Sequence, residues 1–241
     1  MTRRHFISGI AGIVISRKAP AFLLGAVQET SRNDRFSYLD YVYNNGVPPS
    51  SGSDDGSGAY VDTYWVPDRR IDLHCSFKML TRPTGNRSAV FCELHQDVFN
   101  SRSSCLQVFS GLGRYQFISA REGTSLIQAI SSDRIDVDIV DSKDLTMTTN
   151  NSVNRSTCEF TTNGVGPLYY GCAYYQGSNG PVWHGCFNLG RLSIVDHVSG
   201  TKLVDLIPCR DQTTGLYGFF DNVHGTFVGS SNGVQFGAER N

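Results

Sequence analysis

The chain has 241 residues and a mass of 26.5 kDa, and its 39% hydrophobic and 18% charged residues exclude a disordered or a fibrous protein. Its 21 Lys and Arg balance 22 Asp and Glu, and its pI is near 6.6, so neither a basic nucleic-acid binder nor a polybasic membrane-surface protein is expected. The 25 glycines and 11% aromatic residues are typical of a chain with many turns and short strands.

The first 35 residues are predicted to be a signal-like or helical segment and a linker, and residues 36–241 a single domain. Thr2–Ser8, with its paired arginines, resembles a twin-arginine export signal, and Ala19–Ala21 after a basic pair suits a cleavage site. An amphipathic helix is the alternative. Export to the extracellular space or to a virion surface is therefore expected. A stable membrane span is not expected, because no apolar stretch is long enough to cross a bilayer.

Short strands are predicted at roughly ten-residue spacing along the domain. The clearest is Ile71–Leu80, where apolar and polar residues alternate, which predicts one buried and one solvated face. The other predicted strands are Tyr38–Tyr43, Ala59–Thr63, Ala89–Leu94, Cys105–Ser110, Arg114–Ser119, Thr124–Ile130, Ile135–Val140, Cys158–Thr161, Leu168–Ala173, Cys186–Val195, Lys202–Ile207 and Leu216–Phe220. Many short strands with regular turns favour an antiparallel sandwich or barrel.

The cysteines do not form a metal or redox motif. No CxxC pair occurs among the seven, which argues against zinc and thioredoxin-type sites. Cys75 shares the parity of the apolar residues of its strand and is predicted to be a core residue. Export would allow up to three disulfides, and buried free thiols are the alternative.

The C-terminal sequence resembles a known family. The segments Leu192–Asp196, Gly200–Arg210, Gly215–Asp221, Gly225–Phe227 and Gly233–Gly237 are similar to the last strands of LamG-like jelly-roll domains in the concanavalin A-like lectin/glucanase superfamily. The resemblance implies an all-β fold, an antiparallel jelly-roll β-sandwich. It also implies one of three functions, since the superfamily contains lectins, hydrolases and adhesion modules.

The opening of the domain agrees with this resemblance. Tyr38–Val42 and Ala59–Thr63 match the first two strands of such domains, which usually have Gly where this chain continues with Tyr64. In the C-terminal motif Pro208 is expected to end a strand, because it cannot donate to a ladder. Its glycines are expected at turn positions with positive φ, namely Gly215, Gly218 and Gly225.

A sugar site needs aromatic faces and polar groups that are fixed in loops. The stretch from Tyr174 to His184 combines both within eleven residues and is the strongest ligand-loop candidate. Its predicted ligand-binding residues are Tyr174, Tyr175, Asn179, Trp183 and His184. Trp183 or Tyr175 is expected to be partly exposed for stacking, and the alternative is that Trp183 and one tyrosine pack on the sandwich. Tyr64-Trp65, after a predicted strand, offers two further rings.

Two acidic segments are weaker candidates. Asp54 and Asp55 lie in a Gly- and Ser-rich stretch and offer oxygen ligands to Ca²⁺, although they match no EF-hand loop. Asp136, Asp138 and Asp141 have the spacing of the glucanase carboxylates of the same superfamily. All three are Asp rather than Glu, so their reach is too short for that template. The alternative is a strand whose Asp136 and Asp138 are solvated.

The sequence therefore predicts a non-catalytic recognition module that binds carbohydrate at a cell or virion surface. A structural or protein-adhesion module without a sugar site is the alternative, and a glycoside hydrolase is a weaker one. No nucleophile elbow or phosphate-binding loop is present in the sequence. A glycan or cell-surface ligand is the expected partner, and no cofactor is expected, with Ca²⁺ as the one ion left open.

Overall fold

The computed structural model describes residues 34–48, 56–81, 87–94, 104–109, 114–118, 125–129, 134–141, 144–149, 152–157, 166–175 and 180–241. These residues form the strands β1 (Phe36–Tyr38), β2 (Val42–Tyr43), β3 (Val61–Asp62), β4 (Ile71–Thr81), β5 (Arg87–Leu94), β6 (Ser104–Phe109), β7 (Arg114–Ile118), β8 (Ser125–Ala129), β9 (Arg134–Asp141), β10 (Asp144–Thr149), β11 (Ser152–Thr157), β12 (Tyr169–Tyr170), β13 (Ala173–Tyr175), β14 (Gly180–Val182), β15 (Cys186–Asp196), β16 (Lys202–Asp211), β17 (Tyr217–Asp221), β18 (Thr226–Val228) and β19 (Gly237–Ala238). Within this part of the chain no helix is long and apolar enough to cross a bilayer.

The strands form two sheets. The larger has the order β11-β10-β9-β4-β15-β16-β17-β18, with β1 beside β16 and β2 between β15 and β19. The smaller has the order β14-β13-β5-β6-β7-β8, and β12 joins β3 to β5. The described strand pairs are antiparallel except for β13 and β5, which are parallel. The fold is therefore all-β and overwhelmingly antiparallel.

The two sheets share one hydrophobic core. In β4 the residues of one parity are buried and those of the other parity are partly exposed, as the alternation predicts. The buried residues are Ile71, Leu73, Cys75, Phe77 and Met79. They belong to the same cluster as Val61, Val90 and Tyr170 of the smaller sheet. Burial of each large side chain stabilises the fold by on the order of 2 kcal/mol. Because one core is shared by both sheets, the structure confirms the predicted sandwich.

Three successive hairpins of the larger sheet use the same connection, Asp-x-x-x-Gly. Asp196, Asp211 and Asp221 begin these turns, and the glycines that follow adopt φ of 71°, 75° and 71°. In each turn the glycine N–H donates to the aspartate carbonyl at 2.7–2.9 Å. The carboxylate Oδ1 also accepts a backbone N–H two residues further on. Since only glycine adopts such φ without strain, the sequence itself determines these turns.

Two details of the C-terminal motif differ from expectation. β16 does not end at Pro208 but continues to Asp211, with Pro208 in register opposite Phe219. Leu39 N–H donates to the Pro208 carbonyl at 2.9 Å. Pro208 has no N–H and cannot donate a hydrogen bond back to β1. This position lies just beyond the last register pair of β1 and β16, Tyr38 and Cys209, so the strand tolerates proline there. Gly218 lies within β17 rather than in a turn. Glycine suits this position because a Cβ there would lie 2.5 Å from the Val228 carbonyl oxygen.

Tyr38–Tyr43 and Leu168–Ala173 were each predicted as one strand, and each region contains two short strands instead. β10 and β11 are strands that the sequence pattern did not indicate. The predicted strand Cys158–Thr161 lies outside the described residues. So does the export-signal segment, and the domain boundary near residue 36 stays a prediction. Among the cysteines whose side chains are described, Cys75, Cys172, Cys186 and Cys209 are buried free thiols.

Candidate functional site

Three described residues of the ligand loop that the sequence favoured, Tyr174, Trp183 and His184, are buried. Trp183 is 5% exposed, at a left-handed φ of 53°, and Tyr174 is 9% exposed, with its ring centroid 5.3 Å from that of Tyr169. These two rings therefore have no free face for a sugar. Asn179 and the side chain of Tyr175 lie outside the described residues. The exposure of the Tyr175 ring therefore stays a prediction.

His184 is a neutral core residue in this structure. It is 4% exposed, and its Nδ1 has no hydrogen-bond partner among the described residues. Burial lowers the pKa of His184 from its ordinary 6.5 to about 4. Its ring lies 6.0 Å from that of Tyr60, and its carbonyl accepts a bond from the Ser88 hydroxyl. This environment suits packing rather than recognition of a surface ligand.

Asp136 and Asp138 of β9 lie on the solvent side of the larger sheet. The intervening residues Ile135, Val137 and Ile139 are buried in the core, so Asp136 and Asp138 face the other way. His74 Nδ1 donates a hydrogen bond to Asp138 Oδ1 at 2.8 Å. The side chain of Asp141 lies outside the described residues.

The calcium candidates Asp54 and Asp55 also lie outside the described residues. Among the residues that are described, no three His, Cys, Asp or Glu side chains are grouped as metal ligands. A Ca²⁺ site at Asp54 and Asp55 thus stays a prediction.

A groove of about 310 Å³ lies at the open edge of the sandwich, where β3 and the residues after it face β16, β17 and β18. We call it the edge groove. It is lined by Val61, Asp62, Thr63, Tyr64, Leu203, Val204, Leu206, Asp221, His224, Thr226 and Val228. Val61, Val204 and Leu206 are buried core residues and form an apolar floor, whereas the polar residues lie in turns and at strand ends. Its volume is that of a small-ligand site.

Tyr64 is the most exposed aromatic residue among those described, at 84%. Its backbone has a left-handed φ of 56°, which is uncommon for a bulky side chain and costs about 1 kcal/mol. Its N–H donates to Asp62 Oδ1 at 2.7 Å, and this bond holds the turn. The result is an aromatic ring held in solvent at the groove rather than packed on the core.

Asp62 contributes a partly buried carboxylate to the same groove. Burial raises the pKa of Asp62 above its usual value, and the hydrogen bond from Tyr64 opposes that rise. The Asp62 N–H donates to the Ser231 hydroxyl at 2.9 Å, which fixes the backbone beneath it. The carboxylate is therefore held in place and partly desolvated.

Asp221 and His224 form an ordered pair on the opposite wall. His224 Nδ1 lies 2.6 Å from Asp221 Oδ2, while Asp221 Oδ1 accepts the N–H groups of Val223 and His224 at 2.9 and 3.2 Å. Both carboxylate oxygens are thus engaged within the turn. The imidazole is 69% exposed, and it is Nδ1 that bonds to Asp221.

Tyr64 is an aromatic candidate from the sequence, whereas Asp62, Asp221 and His224 are not among the predicted site residues. Asp221 and His224 belong to the Asp-x-x-x-Gly turns, whose pattern is visible in the sequence, although that pattern indicates a hairpin rather than a site. Their proximity to Asp62 depends on how β3 faces β17 and β18, and no local signal carries that information.

No family model matches the chain, and no curated protein matches it in sequence. Among solved structures it is similar to domains LG4-5 of the mouse laminin alpha1 chain, with a TM-score of 0.42 and 14% sequence identity. That similarity covers 69% of this chain and 44% of the laminin chain, so the chain spans less than half of that structure.

Proposed function

We propose that the chain is a non-catalytic recognition module of the LamG-like, concanavalin A-like class, and that it binds carbohydrate in the edge groove. The observation that carries this proposal is Tyr64, a solvent-exposed ring held in a strained conformation at the rim of a groove. Strain at an exposed residue is a reason to look for function.

The chemistry of the groove suits a sugar. The C–H face of a sugar packs on an aromatic ring, and its hydroxyl groups bond to fixed polar groups. Tyr64 supplies the ring, Asp62 a carboxylate acceptor, and His224 an imidazole whose orientation is set by Asp221. Thr63 and Thr226 add hydroxyl groups among the lining residues.

The groove is poorly equipped for glycoside hydrolysis, which needs two carboxyl groups that act on the scissile bond. Asp62 offers one, but both oxygens of Asp221 are already bonded within its turn. Asp136 and Asp138 lie on the solvent face of the larger sheet and do not line the groove. These arrangements support recognition without catalysis.

The proposed location is a cell or virion surface outside the producing cell, with a glycan or another surface ligand as the partner. The twin-arginine-like segment at Thr2–Ser8 supports this location.

The decisive experiment compares Tyr64→Ala with the parent protein on a glycan array, followed by calorimetric titration of each glycan that binds. Loss of one stacking ring is worth about 1–2 kcal/mol, so affinity is expected to fall about tenfold. Tyr38→Ala is the matched control, since Tyr38 is 45% exposed and packs against Phe220, away from the groove lining. Unchanged glycan affinity in folded Tyr64→Ala, or no glycan binding by the parent, contradicts the proposal.

A protein-adhesion module is the second candidate, and exposed apolar residues favour it. Val66, Val198 and Val223 are exposed, and they lie in the loop and hairpin turns next to the groove walls. Arg69 on this loop bonds to Asp196 at the start of the Val198 turn, which joins the two segments. A parent protein that binds no glycan but loses a protein partner on Val198→Ser substitution supports this candidate instead.

A further inference from the structure

We infer that the sugar recognised in the edge groove carries a free, positively charged amine, as an amino sugar without N-acetylation does. This inference rests on the proposed function and specifies its ligand. Two observations support this inference: the charges of the residues that line the edge groove and the exposed Tyr64 ring at its rim.

The described lining of the groove is acidic rather than basic in composition. Its described residues include the carboxylates Asp62 and Asp221 and the imidazole of His224, and neither a lysine nor an arginine. A uronic acid, sulfate or sialic acid would bring a like charge toward two carboxylates. Like charges across an interface oppose binding strongly, so acidic glycans are disfavoured.

Cationic side chains in the segments that flank the groove are held in ion pairs. Lys202, beside the lining residue Leu203, has its Nζ 2.5 Å from Asp205 Oδ2, and Arg191 bonds to the other oxygen of the same carboxylate at 2.6 Å. Arg69 is paired with Asp68 at 2.6 Å and with Asp196 at 3.3 Å. These bonds hold the cations to their own partners, so the groove keeps its negative character.

Asp62 and Tyr64 together suit an ammonium group. Asp62 is held by its hydrogen bonds and is partly desolvated, so a cation that reaches it makes a charge-assisted bond in a low-dielectric setting. A cation is also attracted to the face of a tyrosine ring, and the Tyr64 ring is exposed at the same rim. An acetamido group in place of the amine loses both interactions.

The test uses glycans in matched pairs that differ only in N-acetylation. Oligomers of glucosamine and of galactosamine are printed as the free amine and as the N-acetyl form, beside neutral and uronic-acid oligomers. Binding pairs are then titrated by calorimetry under conditions in which the amine is protonated. We expect the amine form to bind about tenfold more tightly than the N-acetyl form, from one charge-assisted bond.

Asp62→Asn keeps the shape of the side chain and removes its charge, so it should abolish most of this preference. Asp40→Asn is the matched control, because Asp40 is exposed and does not line the groove. Rising salt should also reduce the preference.

The outcomes separate the inference from the proposed function. Binding of neutral, N-acetylated or acidic glycans with equal or higher affinity overturns the amine preference and leaves carbohydrate recognition intact. A preference for the amine that survives in Asp62→Asn overturns the assignment to this groove. Failure of every glycan to bind contradicts the proposed function itself.

Discussion

At the scale of single residues, Tyr64 combines two properties that do not favour folding. Its φ of 56° is strained for a residue with a Cβ, and its ring is 84% exposed, so the side chain gains little from burial. Glycine adopts this conformation without strain. The fold alone would thus be better served by a smaller residue at this position.

We therefore predict that Tyr64→Gly is more stable than Tyr64→Ala by about 1 kcal/mol, because Gly relieves the left-handed strain and Ala retains it. At an ordinary position the order is reversed, since Gly loses more backbone entropy than Ala. Both variants should lose the glycan affinity that depends on the ring. Urea unfolding measures the stabilities, and an Ala variant that is the more stable of the two would show that φ is not strained here.

At the scale of elements, the three Asp-x-x-x-Gly turns set the register of the C-terminal hairpins. In the turn after β15, Gly200 has a φ of 71°, and a Cβ built there meets no atom within 4 Å. Substitution at this glycine consequently changes the backbone strain without a steric clash. That property makes it a clean probe of the turn.

Gly200→Ala is predicted to lower the free energy of unfolding by about 1 kcal/mol through backbone strain alone. Gly229→Ala is the control, since Gly229 has no positive φ and an added Cβ would lie 3.9 Å from the Phe227 ring, an ordinary contact. That control should be neutral or slightly stabilising, because Ala restricts the unfolded chain. Equal effects of the two substitutions in urea titrations would contradict the strain argument.

At the scale of the whole molecule, two buried groups make stability depend on pH in separate ranges. His184 has a pKa lowered by burial from 6.5 to about 4, so between these values the unfolded chain binds more protons than the native protein. Asp211 has a pKa lowered from 3.8 to about 2, mainly by its hydrogen bond with Arg35. In both cases the native state holds fewer protons, and stability falls as pH falls.

We predict two steps of acid destabilisation, one from pH 6.5 to about 4 and one from 3.8 to about 2. His184→Gln should flatten the first step and Asp211→Asn the second, as measured by urea midpoints across pH. Asp205 adds to the second step, because hydrogen bonds from Lys202, Asn222 and Arg191 outweigh its burial and lower its pKa. A profile that keeps the first step in His184→Gln would assign that step to another group.

Much of the fold could be predicted from local sequence. The alternation in Ile71–Leu80 predicted which side chains of β4 enter the core, because side chains on a strand point alternately to opposite faces. The turn glycines Gly215 and Gly225 were predicted for the same local reason. β10 and β11 were not predicted, because they are rich in Thr, Ser and Asn and lack a clear apolar alternation.

The candidate site shows where local sequence stops being informative. Trp183 and Tyr64 are both aromatic residues at left-handed positions in loops, and the sequence alone does not distinguish them. Packing buries Trp183 and leaves Tyr64 in solvent. The same packing brings Asp62 of β3 opposite Asp221 at the end of β17.

The sequence by itself thus determined the strand faces, the hairpin turns and the all-β class, because each follows from contacts between residues close in the chain. The tertiary structure decided which ring is exposed and which carboxylates share a groove. Those outcomes depend on the order of strands in two sheets and on how the sheets stack, and these are set by contacts between segments far apart in the chain.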